Sequence, residues 1–213
     1  MRRISWLNPR GKAIALKAQP WLWLACIVMF FVAAWSAQAQ VDIFMSVGGQ
    51  PQNIGVNPQT SPTLKGDSKD SQYPQWIQLF SAQMGVGRGV TLNSGTVSTS
   101  NPSFSEVTIT KLTDSTTPSL YTLCSGGTAT VTQPIDYVTI DFRKTGTTQV
   151  FYRLQLQKVY ISGISSSSGG DVPSESVSLF FSRVSWSYVP YDTSGKVGQT
   201  VTKGWDVIKN AAF

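Results

Sequence analysis

The chain has 213 residues, with 17 Lys and Arg against 11 Asp and Glu, and no histidine. The missing histidine excludes Ser-His-Asp and Cys-His nucleophile systems and histidine metal centres together. Five of the basic residues (Arg2, Arg3, Arg10, Lys12 and Lys17) lie in the first 39 positions, so the rest carries twelve bases against eleven acids; a nearly neutral chain gives no electrostatic case for nucleic acid or an anionic membrane surface.

The first 39 residues have the layout of a secretory signal peptide. A basic region is followed by an apolar run from Trp21 to Trp35 and by Ser36-Ala37-Gln38-Ala39. Cleavage is expected between Ala39 and Gln40. The rival is a membrane anchor, but the apolar run of about 15 residues falls short of the roughly 20 that span a bilayer as a helix. Cys26 raises a lipoprotein reading, yet Trp23 stands where a lipobox prefers Leu. The expected organisation is a signal peptide over 1–39 and one domain over 40–213. The product is then secreted, extracellular or periplasmic, with no stable membrane anchor after cleavage. Cys124 is the remaining cysteine of that domain, so no disulfide forms within it, and a domain of this size can build a core without one.

Val41 to Val47 reads as a first strand, ended by Gly48-Gly49. Gln50 to Thr63, rich in Pro, Asn, Gln and Thr, is a loop, and Lys65 to Asp70 is a polar turn. Trp76 to Val86 is a second strand. Gly85 to Thr99 is loose and Gly/Ser/Thr-rich, with a short strand at Val90-Thr91-Leu92. Phe104 to Leu112 alternates again, with Val107 and Ile109 against Thr108 and Thr110. Thr117 to Gly127 carries the helix signal: Thr117 as N-cap, Pro118 at the first helical position, Leu120, Leu123 and Cys124 on one face, and Gly126 or Gly127 as the stop. Cys124 is most simply a small buried apolar residue.

Three strands follow, at Val138 to Phe142, Phe151 to Ile161 and Val177 to Tyr188. In the second, Leu154 and Leu156 share a face, and the apolar parity then shifts to Val159 and Ile161. In the third, Leu179 and Phe181 give way to Val184, Trp186 and Tyr188. A parity shift within a strand marks a bulge or a corner. Two long bent strands point to a mainly all-β fold with a strongly curved sheet or a small barrel, not a flat sheet. A polar loop from Tyr191 to Val201 and a last strand from Thr202 to Asn210 complete the domain.

Two carboxylate pairs, Asp67 with Asp70 and Asp171 with Glu175, are the candidates for a cation site or a glycosidase-like pair. Both sit in polar turns, where acids serve solvation and turn formation, so no catalytic residue, metal or cofactor is assigned. No Gly-x-x-x-x-Gly-Lys-Ser/Thr phosphate loop is present.

Several stretches in order resemble one family. They are Val41-Asp42-Ile43-Phe44, Lys65-Gly66-Asp67-Ser68-Lys69-Asp70, Thr110-Lys111 with Ser115-Thr116-Thr117-Pro118-Ser119-Leu120, Tyr152 to Ser165, Ser174 to Phe181, and Lys203-Gly204-Trp205-Asp206. The chain resembles the Hcp (haemolysin-coregulated protein) family of type VI secretion systems. The resemblance implies an all-β subunit, a small β-barrel of two curved sheets with one short α-helix alongside, a homohexameric ring with a wide channel, and rings stacked into a tube that is propelled from the cell. Partners implied are other copies of itself, spike and sheath proteins, and small effectors in the lumen. By that resemblance, Lys65, Asp67, Lys69 and Asp70 of the turn, with Ser165 and Asp171 of the Ser165–Pro173 loop, are the candidates for ring stacking. The leader and the long Gln50–Thr63 connection depart from the family pattern. They suit an independently exported copy, or the alternative of an extracellular binding module that uses the barrel as scaffold.

Replacing Ala37 and Ala39 with bulky residues is expected to leave an uncleaved, membrane-held precursor. Mass spectrometry of the exported wild-type protein should give Gln40 as its N-terminus, and a Met1 terminus there refutes the signal peptide.

Overall fold

The computed structural model describes residues 40–48, 63–126 and 134–213. The expected leader with its Ala39 cleavage position, most of the Gln50–Thr63 loop and the Gly127 stop lie outside them. The described elements are β1 (Val41–Val47), β2 (Ile77–Leu79), β3 (Ser81–Gln83), β4 (Val86–Gly87), β5 (Val90–Asn93), β6 (Thr96–Thr99), β7 (Ser103–Phe104), β8 (Val107–Leu112), α1 (Thr117–Cys124), β9 (Ile135–Lys144), β10 (Val150–Ser167), β11 (Ser174–Tyr188), β12 (Val201–Asp206) and β13 (Ala211–Ala212). The fold is mainly β with one described helix, as the alternation of apolar residues predicts.

The long hairpin β10–β11 is its spine. On one side of β10 the order continues through β9 and β1 to β2. The free edge of β11 is shared: its first half, Ser174 to Leu179, pairs with β8, and its second half, Arg183 to Tyr188, pairs with β12. The sheet forks between them. Hydrogen bonding alone does not close the sheet. The chain itself bridges the gap, because β2 pairs with β1 while β3 pairs with β8. The crossing is at Phe80, whose N–H donates to the Thr110 carbonyl at 2.8 Å. The single strand expected over Trp76–Val86 is therefore broken in two, because its halves have different partners.

Inside the bend lie Ile43, Met45, Ile77, Val107, Ile109, Val138, Ile140, Leu156, Val159, Val177, Leu179 and Val184, with Leu120 of α1 packed onto them. The two parity shifts are one feature. Leu156 and Val159 both face the core, as do Phe181 and Val184 in β11, and Val138 with partly buried Ile135 in β9. Pairing runs through without a slip, with Gln157 opposite Tyr137 and Arg183, and Val159 opposite Ile135 and Phe181. Asp136, Lys158 and Ser182 thus occupy one row across three strands. Lys158 has φ +53°, rare for a side chain of this size, and its Nζ donates to Asp136 Oδ1 at 2.7 Å on the surface. The row is a corner, a shared crease that turns the sheet. A separate bulge lies between Ile161 and Gly163.

Three local expectations are corrected. The N-cap of α1 is Thr116 rather than Thr117 and makes no side-chain capping bond; the turn before it is closed by Asp114, whose Oδ1 accepts the Thr116 N–H at 2.9 Å, and by Thr117 Oγ1, which accepts the Asp114 N–H at 3.1 Å. The last strand ends at Asp206, whose carboxylate accepts the Lys209 N–H at 2.9 Å in a turn that leads to β13. The stretch from Gly85 to Thr99 is not loose. Leu179→Ala, at a fully buried position, should lower unfolding free energy by about 2–5 kcal/mol in urea titration; a loss under about 1 kcal/mol would mean that the bend is not the core.

Candidate assembly surfaces

The Lys65–Asp70 turn is built from short polar residues, and the segment after it supplies two aromatic anchors. Gly66 runs so close to the Trp76 backbone that an added Cβ would lie 2.4 Å from its carbonyl oxygen. Tyr73 and Trp76 are buried over the outer face of β1. The Phe44 and Tyr73 rings stack at 4.4 Å, and Trp76 meets Tyr73 edge-on at 4.9 Å. β1 is thus buried on both faces, with Ile43, Met45 and Val47 toward the core and Phe44 under this aromatic cap.

Beneath the cap lies an ion pair shut off from water. Arg153 donates from Nε to Asp141 Oδ1 at 2.5 Å and from a terminal nitrogen to Oδ2 at 2.6 Å, and Tyr73 Oη donates to the same Oδ2 at 3.1 Å. Burial, with the Asp141 charge beside it, pushes the Tyr73 phenol far above its ordinary range. At the rim, Arg143 donates to both oxygens of Asp70 at 2.9 and 2.6 Å, to Asp42 at 2.8 Å and to Gln72 at 3.1 Å. Its guanidinium lies 4.9 Å from the Phe44 ring centre and 5.4 Å from that of Tyr73. The hydrogen bonds from Arg143 hold the Asp70 carboxyl below the usual carboxylate range.

The six candidate stacking residues therefore divide. Asp70 is not a free turn charge; it ties the turn to the barrel. Asp67 is exposed and accepts the Ser115 N–H at 3.0 Å, and hydrogen bonding from Ser115 lowers its pKa. The Lys65 carbonyl accepts from Ser115 Oγ at 2.8 Å. The Lys65 and Lys69 side chains are exposed, and neither forms an ion pair among the described residues. Ser165 is not in a loop: the ladder continues to Ser167, with Ser165 opposite Ser176, because Ile164 still packs on the core. The connection shrinks to residues 168–173, with Asp171 exposed in it. Both segments nevertheless reach the same neighbour. The turn bonds to Ser115, while Pro173 accepts the Thr113 N–H at 2.9 Å and Ser166 pairs with the Tyr121 hydroxyl at 2.7 Å. The surface around 113–121 collects them.

Neither carboxylate pair assembles a reactive site. Glu175 is buried and accepts from Lys111 at 2.9 Å, Thr113 at 2.9 Å and Thr117 at 2.9 Å. Fully buried Lys111 is also met by Asp114 at 2.8 Å and the Leu112 carbonyl at 2.7 Å. These bonds anchor α1 to the β8–β11 edge. Asp67 and Asp70 serve Ser115 and Arg143 separately. Among the described residues no cluster of three His, Cys, Asp or Glu side chains could hold a metal.

The feature that sequence reasoning missed is an arm. β4 pairs with β7 and β5 with β6, so residues 86–104 form a two-stranded hairpin that leaves the barrel at the fork. Its tip is Ser94-Gly95 with φ +45° and +83°, both positive as the tight hairpin turn of matching twist requires. Val90, Leu92 and Val97 share one face and are 63%, 70% and 61% exposed, while Thr91, Asn93, Thr96 and Ser98 form the other. At the base, Phe104 packs among Phe181, Trp186 and Trp205, with ring centres 6.2 to 6.5 Å apart. The alternation at 90–92 and 96–98 around Ser-Gly was the available signal, masked by Gly85, Gly87 and Gly89.

Residues 44–188 match the family model described as type VI secretion system effector, Hcp. The chain belongs to the Hcp family, the structural proteins of type VI secretion. Solved structures share the fold. One described as a type six secretion system protein superposes with a TM-score of 0.68 at 23% identity, over 82% of this chain and 100% of that one. Hcp1 from Salmonella typhimurium gives 0.61 at 21% identity, over 81% and 99%. A type VI secretion system effector from Yersinia pestis gives 0.56 at 17%, over 78% and 99%. A search of curated protein sequences finds no match.

Asp70→Lys should cost about 1–3 kcal/mol, because it leaves Arg143 without its main partner, whereas Lys65→Glu with Lys69→Glu should stay within about 0.5 kcal/mol. Since the folded Asp70 pKa is depressed, its contribution is present above the unfolded value near 4 and is lost as pH falls through the folded value. Asp70→Asn should flatten that part of the acid melting curve; an unchanged curve refutes the Arg143 anchor.

Proposed function

We propose that this chain is a ring-forming subunit of the type VI tube, assembling as a homohexamer, and that it is an exported copy of that subunit rather than an enzyme. Family membership supports the reading, and the observation that carries it is the arm. An isolated two-stranded hairpin is marginal in water, and open strand edges with apolar side chains invite pairing. Arg88 is the one charged residue between Gly85 and Ser105, so charge does little to protect this arm. It suits an element that is covered by a neighbouring copy.

In this reading, exposed Lys65, Asp67, Lys69 and Asp171, with Ser165 at the ladder's end, belong to the surface on which rings stack, around residues 113–121. Asp70 supports that surface from within. Spike and sheath proteins would meet the same stacking surfaces, and small effectors would ride in the lumen. The expected leader favours a second reading, a secreted binding module on the same barrel, and assembly state separates the two.

Light scattering of the exported protein should give a mass of six subunits. Leu92→Asp with Val97→Asp should shift it to a monomer whose circular dichroism spectrum is still that of the folded subunit, since both side chains are exposed in the subunit. A hexamer that survives this change contradicts the role of the arm, and a wild-type monomer at all concentrations contradicts the ring.

A further inference from the structure

At the fork where the arm leaves the barrel, a cleft of about 360 Å³ opens between the arm's base and the segment after β12. This falls within the roughly 300–1,000 Å³ typical of small-molecule sites. Two partly buried aromatic side chains, Phe104 and Trp205, contribute to its wall. Three planar polar groups stand around them, from Arg88, Asn101 and Asn210. The Arg88 guanidinium is oriented by a hydrogen bond to Thr99 Oγ1, which also lines the cleft. Among the described residues no carboxylate lines it.

The polar groups here are not consumed by the fold, in contrast to those beneath the aromatic cap. The side-chain amides of Asn101 and Asn210 make no hydrogen bond among the described residues, although the backbone carbonyl of Asn101 accepts from Ser100. The buried indole Nε1 of Trp205 has no acceptor there either, and an unsatisfied buried donor calls for an explanation. Asn210 is held at φ +51°, a conformation that Asn tolerates better than most residues.

We infer that this cleft binds a pyranose ring of a glycan. A sugar presents an apolar C–H face and a rim of hydroxyls. The first suits Phe104 and Trp205, and the second suits two amides and a guanidinium, each able to make paired hydrogen bonds. A phosphorylated ligand would want several cations, and among the described residues the cleft offers Arg88 alone. A purely apolar ligand would leave the Asn101 and Asn210 amides unpaired, at a cost. The stacking is common to a neutral ring and to one that carries a carboxylate, and Arg88 decides between them. Val90, Leu92 and Val97, the arm's exposed apolar face, do not line this cleft.

The test uses the full chain as exported by its host, titrated by calorimetry with chitotriose as the neutral probe and a glucuronate-containing tetrasaccharide as the acidic one. Saturable binding of either is expected, with at least a tenfold loss in Asn101→Ala combined with Asn210→Gly, since Gly keeps the positive φ without strain. Arg88→Gln should weaken the acidic probe at least tenfold and the neutral one only several-fold, since Gln keeps hydrogen-bonding capacity and loses the charge. A melting temperature equal to wild type shows that the double variant folds. Absence of saturable binding to both probes overturns the proposal, as does undiminished binding by the folded double variant.

Discussion

Everything in the domain hangs on the pairing of β10 with β11. These strands are 18 and 15 residues long, and each carries more than one neighbour. Strands of that length cannot stay flat, since twist accumulates along them. The crease at Asp136, Lys158 and Ser182 and the bulge after Ile161 relieve it and curl the sheet around its apolar face. The fork follows from the same length. β11 outruns β8, its outer edge passes to β12, and the arm and the cleft both sit at the place of transfer.

Two buried charge networks complete the structure where the sheet alone would not. Asp141 and Arg153 fill the space under Tyr73 and Trp76, and Lys111 and Glu175 fix α1 to the β8–β11 edge. Buried pairs are weak sources of net stability, but removing one partner is costly, at about 3–5 kcal/mol. Their effect is positional: one holds the Lys65–Asp70 turn, the other holds the helix, and between them they shape the surface around 113–121. That division explains why Asp70, Asp114 and Glu175 at this surface are engaged by Arg143, Lys111 and the Thr113 and Thr117 hydroxyls.

The strands with one apolar face were legible in the sequence because period-two alternation records burial directly, and the doubled parity shift recorded the crease. The partners of Asp70 were not legible. Arg143 lies 73 positions away and itself reaches Asp42 across 101, so no local pattern betrays the contact and the turn reads as solvated. Ser165 was misplaced for the opposite reason: a Ser/Gly composition looks like loop, but the ladder to Ser176 needs only backbone. The arm was hidden because its apolar face is turned toward solvent in the subunit, where alternation has no core to explain it. Family resemblance recovered the architecture that these local gaps left open, and it did not locate the arm or the cleft.

The central claim is that this barrel is a ring subunit whose arm is covered by another copy. Negative-stain electron microscopy of the exported protein tests it most directly. The account predicts annular particles with six-fold symmetry and an open centre, some of them stacked. A field of single compact barrels at concentrations well above those used for assembly would contradict it.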